Sequence, residues 1–252
     1  MLVKKSYLAQ GILLAGAVVL NCSTAQAVPV AMSDDPLNMF NTWTIMANDD
    51  GFVGPGSGGQ AFDAEYLFYK VDAGKLSIGL QTGFNISDGK QNYYGQRYDA
   101  GDLFLSFDGN NSSYEYAFDI GNVTEGYWNF GNDAIDAVAA GLYKVTTENN
   151  DIYYTDSGPF AMQDGVLIQG VGNGAFTSTG IEGDSFWRTF SFDLAALGIN
   201  DTSGLGATWT MSCGNDNING TAPVPEPATM LLFGTGLLGL AGIKQRNKKK
   251  QA

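Results

Sequence analysis

The chain has 252 residues, contains no histidine and carries its charge unevenly. All 26 acidic residues and six of the 13 basic ones lie within residues 28–227, which gives this region a formal charge of −20. A body this acidic repels nucleic acid and anionic lipid, so we expect neither as a partner of the folded part. The lack of histidine excludes Ser-His-Asp and Cys-His catalytic sites and zinc sites built on histidine.

The first 27 residues have the three parts of a secretory signal peptide. Lys4 and Lys5 form a charged start, residues 11–20 form an apolar core, and the sequence AQA at 25–27 suits signal peptidase. The alternative, a first transmembrane helix, fails on length, because ten apolar residues are too few to span a bilayer. We therefore predict a cleaved signal peptide at 1–27 and export of the chain, with signal peptidase as a partner.

Residues 28–223 form a single body with the patterns of short strands. Alternation of apolar and polar residues predicts strands at 64–71, 75–84, 102–108, 114–120, 142–147, 166–171, 186–194 and 207–213. Turn-forming residues at 72–74 and 109–113 predict two hairpins. Residues 133–141 and 193–198 predict short helices that stop at a glycine. The whole predicts an all-β fold, an antiparallel β-sandwich or jelly roll with one or two short helices.

The C-terminal segment, residues 224–252, has three consecutive parts. It begins with Pro225, Glu226 and Pro227 and continues with 16 uncharged residues at 228–243. A basic cluster follows: Lys244, Arg246, Lys248, Lys249 and Lys250. The apolar part is roughly 24 Å long as a helix, which is workable for a bilayer when the flanking lysines snorkel. We predict a C-terminal transmembrane helix whose basic cluster stays in the cytoplasm and leaves the body outside.

These three parts, in this order and at this end, resemble the PEP-CTERM sorting signal of Gram-negative bacteria and cyanobacteria. The resemblance implies that exosortase, a membrane enzyme, recognises the Pro-Glu-Pro triplet and removes the tail. It also implies transient anchoring in the inner membrane, followed by transfer to the cell surface or extracellular matrix. The alternative, a permanent C-terminal anchor, stays open, because the apolar pattern alone does not exclude it.

The body carries a second resemblance. Its runs at 62–84 and 101–120 and its closing run at 209–220 are similar to the bodies of exosortase-dependent surface proteins. The early strands are similar to sandwiches of the carbohydrate-binding-module and DOMON type. This implies a sandwich with a sugar ligand, whereas the haem-binding variant lacks a histidine to serve as its axial ligand.

Calcium is the candidate metal for the acidic turns. It takes six to eight oxygen ligands, which Asp, Asn and backbone carbonyls in turns supply. We single out Asp108 and Asn110 in one turn and Asp216 and Asn217 in another. The alternative is that Asp, Asn and Gly are present only because they form turns.

Aromatic residues crowd into the presumed loops. Tyr94, Tyr98, Tyr127 and Trp128 lie beside polar residues, and such aromatics stack on the apolar faces of sugar rings. The alternative is packing in the core or at its rim. The sequence therefore marks these four residues as candidates for glycan binding.

Two classes of function remain open. The first is a non-enzymatic protein of the cell surface or extracellular matrix, associated with exopolysaccharide and biofilm. The second is a lectin-like, glycan-binding module with a defined and calcium-dependent site. A polysaccharide hydrolase is a distant third, since the carboxylate pairs Asp63 with Glu65 and Asp102 with Asp108 are common among 26 acids.

Overall fold

The computed structural model describes most of the predicted body. The described residues are 36–110, 113–121, 124–128, 134–136, 139–200 and 202–223. The predicted signal peptide and the predicted C-terminal transmembrane helix lie outside them. In the part of the chain that is described, no helix has both the length and the apolar character needed to cross a membrane.

Strands dominate the described chain, and its helices are short turns of 3-10 type. The strands are β1 (Thr44–Asn48), β2 (Tyr66–Asp72), β3 (Lys75–Thr82), β4 (Lys90–Tyr93), β5 (Gln96–Asp99), β6 (Leu103–Ser106), β7 (Tyr116–Asp119), β8 (Thr124–Glu125), β9 (Ala134–Asp136), β10 (Gly141–Asn149), β11 (Ala161–Gly170), β12 (Phe176–Glu182), β13 (Ser185–Asp193), β14 (Gly206–Thr210) and β15 (Asn217–Thr221). The 3-10 helices are Asn38–Phe40, Gly59–Phe62, Thr155–Ser157 and Leu194–Leu197.

The strands form two large antiparallel sheets. One has five strands in the order β1-β2-β3-β13-β12, and the other has six in the order β11-β10-β7-β6-β14-β15. Two small ribbons, β4-β5 and β8-β9, complete the described sheet structure. The fold is therefore all-β and antiparallel, as the sequence predicted.

The core lies between the two large sheets. Phe118 of β7 and Phe190 of β13 meet across it, with ring centroids 5.3 Å apart in an edge-to-face arrangement. Trp209 of β14 is fully buried, and its indole N–H donates to the Gly101 carbonyl at 3.0 Å. Burying large aromatic side chains from both facing sheets supplies much of the stabilisation of such a sandwich.

Each of the eight predicted strands overlaps an observed one, and both predicted hairpins are present. The helix predicted at 193–198 is the 3-10 helix Leu194–Leu197, which ends at Gly198 with a φ of +69°. The helix predicted at 133–141 is wrong. β9 lies inside that stretch and pairs with β8, while β10 begins at Gly141. Pairing with a neighbouring strand outweighs the helix propensity of its alanines.

The turn between β2 and β3 is suboptimal at one residue. Ala73 and Gly74 form it with φ values of +50° and +79°, and only glycine and asparagine adopt such values readily. We expect Ala73→Asn to raise the free energy of unfolding by about 1 kcal/mol, since asparagine tolerates the left-handed conformation. Gly74→Ala is the comparison variant, for which we expect the free energy of unfolding to fall. A Cβ at this position meets nothing within 4 Å, so the loss comes from backbone strain alone. Urea unfolding of the two variants measures both effects, and equal shifts would contradict the argument.

Candidate functional site

Five aromatic side chains gather at one end of the sandwich. We call them the aromatic cluster: Tyr98, Tyr127, Trp128, Tyr153 and Tyr154. Consecutive rings are in contact, with centroids 6.4 Å apart for Tyr98–Tyr127, 4.9 Å for Tyr127–Trp128, 5.5 Å for Trp128–Tyr153 and 4.8 Å for Tyr153–Tyr154. Trp128 is 65% exposed and Tyr153 is also exposed, whereas the other three rings are half-buried. The cluster therefore exposes two aromatic rings to solvent, and the three half-buried rings pack beside them.

The support comes from backbone hydrogen bonds between loops. Asp151 receives two of them: its carbonyl accepts from the Tyr127 N–H at 2.8 Å, and its Oδ1 accepts from the Trp128 N–H at 3.2 Å. The Tyr154 N–H donates to the Cys213 carbonyl at 3.1 Å. Three separate segments are thus joined beneath the rings, which fixes their relative positions.

Gly126 allows the closest of these approaches. A Cβ at this position would lie 2.1 Å from Oδ2 of Asp151, far inside contact distance. The glycine lets the strand β8 end directly against Asp151, so that Tyr127 and Trp128 emerge beside Tyr153. Any side chain at Gly126 would push the two halves of the cluster apart.

Charged groups flank the rings. The Arg97 Nε donates to Oδ1 of Asp99 at 2.6 Å, and its Nη1 lies 3.4 Å from Oε1 of Glu125. The Glu125 N–H donates to Oδ2 of Asp99 at 2.7 Å. Burial raises the pKa of the Asp99 carboxyl, although these hydrogen bonds and the guanidinium act in the opposite direction. Arg97 and Glu125 keep partly exposed polar groups near the base of the cluster, where they can contact a polar ligand.

The structure brings together three of the four aromatic residues singled out for glycan binding. Tyr98, Tyr127 and Trp128 are members of the cluster, whereas Tyr94 is 95% exposed at the tip of the β4-β5 hairpin and contacts Tyr93. Tyr153 belongs to the cluster and was not among the four. Its signal in the sequence is the Tyr153-Tyr154 pair within a polar loop.

The four residues singled out for calcium lie at two separate places. Asp108 and Asn110 follow β6, next to the end of β14 at Gly206, while Asp216 and Asn217 lie at the other end of β14. Among the described residues, no group of three or more Cys, Asp or Glu is arranged to hold a metal ion. Calcium binding stays a prediction, with each pair needing ligands from elsewhere.

Both aspartates have local partners. Oδ1 of Asp108, on the surface, accepts from the Asn110 N–H at 2.7 Å and from the Ser106 hydroxyl at 2.9 Å, which forms a turn. Asp216 is fully buried and accepts three backbone N–H groups, from Ala64 at 2.7 Å, Asn217 at 3.0 Å and Gly54 at 3.2 Å. Its carboxylate joins the loop at 54–64 to the closing run of the body.

The carboxylate pairs considered for hydrolysis do not face a cleft. Asp63 and Glu65 are fully buried, and Glu65 Oε1 accepts from the Ser185 hydroxyl at 2.9 Å. Asp102 is also buried, with Oδ2 accepting from the Met162 N–H at 2.8 Å, whereas Asp108 is exposed. A glycosidase needs both carboxyls at one substrate, and neither pair has this arrangement.

The described chain ends at Pro223, far from the aromatic cluster. Thr221 of β15 pairs with Gly206 at the start of β14, whereas the cluster is tied to Cys213 beyond the end of β14. The extended chain from Gly206 to Met211 is roughly 17 Å long, and this length separates the end of the sandwich near Thr221 from the end with the cluster. Pro223 lines a shallow cavity of about 400 Å³ at its own end of the sandwich, together with Tyr69 and Val71.

Comparison with known protein families finds the PEP-CTERM protein-sorting motif at residues 223–246. The match contains Pro225, Glu226 and Pro227 and the first two residues of the basic cluster, Lys244 and Arg246, all outside the described residues. Such a motif implies exosortase-dependent sorting and export to the cell surface. No curated protein and no solved structure matches the chain. The sorting signal predicted from the sequence is confirmed, and the kinship of the body to carbohydrate-binding modules stays a prediction.

Proposed function

We propose that the exported body is a non-enzymatic module that contacts exopolysaccharide in the extracellular matrix through the aromatic cluster. The observation that carries this proposal is the exposure of linked aromatic rings, Trp128 and Tyr153 above all, on a base fixed by backbone hydrogen bonds. Aromatic rings stack on the apolar faces of sugars, and neighbouring polar groups bind the hydroxyls. Arg97 and Glu125 are suited to that second role.

The direction in which the cluster faces supports the same proposal. The sorting motif begins at Pro223, and the cluster lies at the opposite end of the sandwich. A chain held at the membrane by its C-terminal end would therefore present the cluster outward, away from the bilayer. Surface attachment at one end and polymer contact at the other is the arrangement expected of a matrix protein.

Trp128→Ala is expected to weaken binding to the exopolysaccharide of the producing organism by at least about tenfold. The indole is the most exposed ring of the cluster, so its removal takes away contact area without opening the core. Isothermal titration of the soluble body, residues 28–222, with the purified polysaccharide measures the affinity.

The matched control is Phe52→Ala. Phe52 is 63% exposed, nearly the same fraction as Trp128, and makes no ring contact with the cluster among the described residues. Its replacement should leave the affinity unchanged. Equal losses in both variants, or no binding by the unmodified body, would count against the cluster as the polysaccharide site, and turnover of the polysaccharide would contradict a non-enzymatic role.

The producing cell is a Gram-negative bacterium or cyanobacterium in this proposal, and the tail anchors the chain in the inner membrane only until exosortase removes it. Glu226→Ala is expected to spare membrane insertion, because the apolar run and the basic cluster are unchanged, and to impair tail removal. The measurement is the C-terminus of the protein recovered from the cell surface, read by mass spectrometry. Deleting residues 244–252 is the comparison, since it disturbs retention and orientation instead. Surface protein that retains residues 228–252 would show a permanent anchor.

A further inference from the structure

One lateral side of the sandwich exposes two strand edges. β11 is the edge of the six-stranded sheet and β12 the edge of the five-stranded sheet, and each pairs with one neighbour within the described residues, β10 and β13. The turn that joins the two edge strands is closed by a bridge between Val171 and Ala175. Both edges therefore lie on the same side of the molecule.

This side also carries a large share of the exposed apolar side chains of the described residues. Five of the eleven exposed large apolar side chains among the described residues lie within β11, β12 and the turn between them, and they are Val166, Leu167, Val171, Phe176 and Ile181. Apolar side chains that cluster on the surface, rather than being scattered singly, mark sites of association. We call this side the β11–β12 edge.

Charged residues and proline, which commonly protect a free strand, are scarce along the β11–β12 edge, and the pairing of β12 with β13 has no register shift, whereas that of β11 with β10 has three. Residues 165–181 form a run of 17 residues without a charged side chain, and 161–182 contain no Lys, Arg or Pro. Proteins normally block free edges with charges or proline. The surrounding body is strongly acidic, so this run is where another acidic body can approach with the least repulsion.

We propose that the β11–β12 edge binds a second copy of this chain, with β12 pairing antiparallel to β12 of that copy about a two-fold axis. The pairing would extend the five-stranded sheet into a ten-stranded sheet across the dimer. Exposed strand edges readily accept an added strand, because main-chain hydrogen bonds supply the contact. Two-fold symmetry makes the interface self-complementary, so that each side chain of β12 takes part once from each copy.

The charge distribution favours a second copy as the occupant. β12 has one charged residue, Glu182, at its C-terminal end. In an antiparallel pair centred on Thr179, each Glu182 stands opposite Phe176 of the other copy, at opposite ends of the interface. No like charges face each other along the paired strands. Self-repulsion of the two acidic bodies remains, and salt screens it.

The test is the oligomeric state of the protein recovered from the cell surface, measured by sedimentation at micromolar concentrations. We expect a monomer–dimer equilibrium that shifts toward dimer when salt is raised to about 0.5 M, since the repulsion between the bodies is screened. Ile181→Lys should raise the dimer dissociation constant at least about tenfold, because in this register Ile181 of each copy stands opposite Thr177 of the other, and symmetry places a lysine at both of these contacts.

Ile45→Lys is the matched control. Ile45 is an exposed isoleucine on β1, the opposite edge of the same sheet, so its replacement should leave the dimer intact. Both variants must keep the circular dichroism spectrum of the unmodified protein. A monomer under all these conditions overturns the proposal, as does a dimer that survives Ile181→Lys or is lost in Ile45→Lys. None of these outcomes depends on polysaccharide binding.

Discussion

Asp216→Ala is expected to lower the free energy of unfolding of the body by at least about 3 kcal/mol. The fully buried carboxylate accepts the backbone N–H groups of Gly54, Ala64 and Asn217. Alanine would leave three donors without an acceptor, and each buried unsatisfied donor costs about 1–3 kcal/mol. Urea unfolding of residues 28–222 at pH 5, where the raised pKa of Asp216 keeps the carboxyl neutral and no buried charge offsets the loss, measures the effect as the transition midpoint and slope.

Asp108→Ala is the control for this experiment. Asp108 also accepts a backbone N–H, from Asn110 at 2.7 Å, but it lies on the surface. Water replaces the lost acceptor there, so we expect a decrease below about 1 kcal/mol. Similar losses in both variants would mean that the three buried bonds of Asp216 do not hold the loop at 54–64 in place.

The sequence predicted those parts of the fold whose contacts are local. Alternation and turn residues located β2, β3 and the turn at Ala73 and Gly74, because a hairpin is decided within a few residues. β12 was missed because its seven residues include glycine, serine and two threonines. Its two large apolar residues, Phe176 and Ile181, are both exposed and do not alternate regularly with polar residues. The helix error at 133–141 has the same origin: β9 exists because β8 pairs with it, and the partner is not visible in the stretch itself.

The candidate site was predictable as a set of residues but not as a surface. Loop aromatics beside polar residues indicated Tyr98, Tyr127 and Trp128, yet Asp151, which fixes two of them, has no local signal. The role of Asp216 was equally hidden. Its partners Ala64 and Gly54 lie 152 and 162 residues away along the chain, so the sequence shows only an aspartate in a turn.

A decrease in stability as the pH rises from 5 to 8 is the second large effect that we expect. Burial raises the pKa of Asp63 to about 7, helped by the carboxyls of Asp216, Asp50 and Asp49, while the Gly51 N–H acts in the opposite direction. In the unfolded chain the same group ionises near pH 4. Between these values the folded state holds a proton that the unfolded state has lost, so stability is lost as the pH rises toward 7.

The size of this effect follows from the slope for a single group, about 1.4 kcal/mol per pH unit. Asp63 alone accounts for about 2–3 kcal/mol between pH 5 and pH 7. Burial also raises the pKa of Asp216 to about 7, although its backbone hydrogen bonds lower it, so Asp216 adds in the same direction. The pKa of Asp193 is lowered by its hydrogen bond with Lys75, so this carboxyl is ionised in both the folded and the unfolded chain above about pH 5 and does not alter the trend.

Asp63→Asn isolates the contribution of this one carboxyl. Oδ1 of Asp63 has no hydrogen-bond partner among the described residues, and Oδ2 accepts only from the Gly51 N–H at 3.1 Å, which an amide oxygen can also do. The variant should therefore match the unmodified body at pH 5, where the carboxyl is neutral, and be more stable at pH 8, where Asp63 carries a buried charge. Asp156→Asn, at an exposed site, should leave the pH profile unchanged. Urea unfolding at pH 5, 6, 7 and 8 gives the profile, and an unaltered slope in Asp63→Asn would show that Asp63 ionises alike in the folded and unfolded chains.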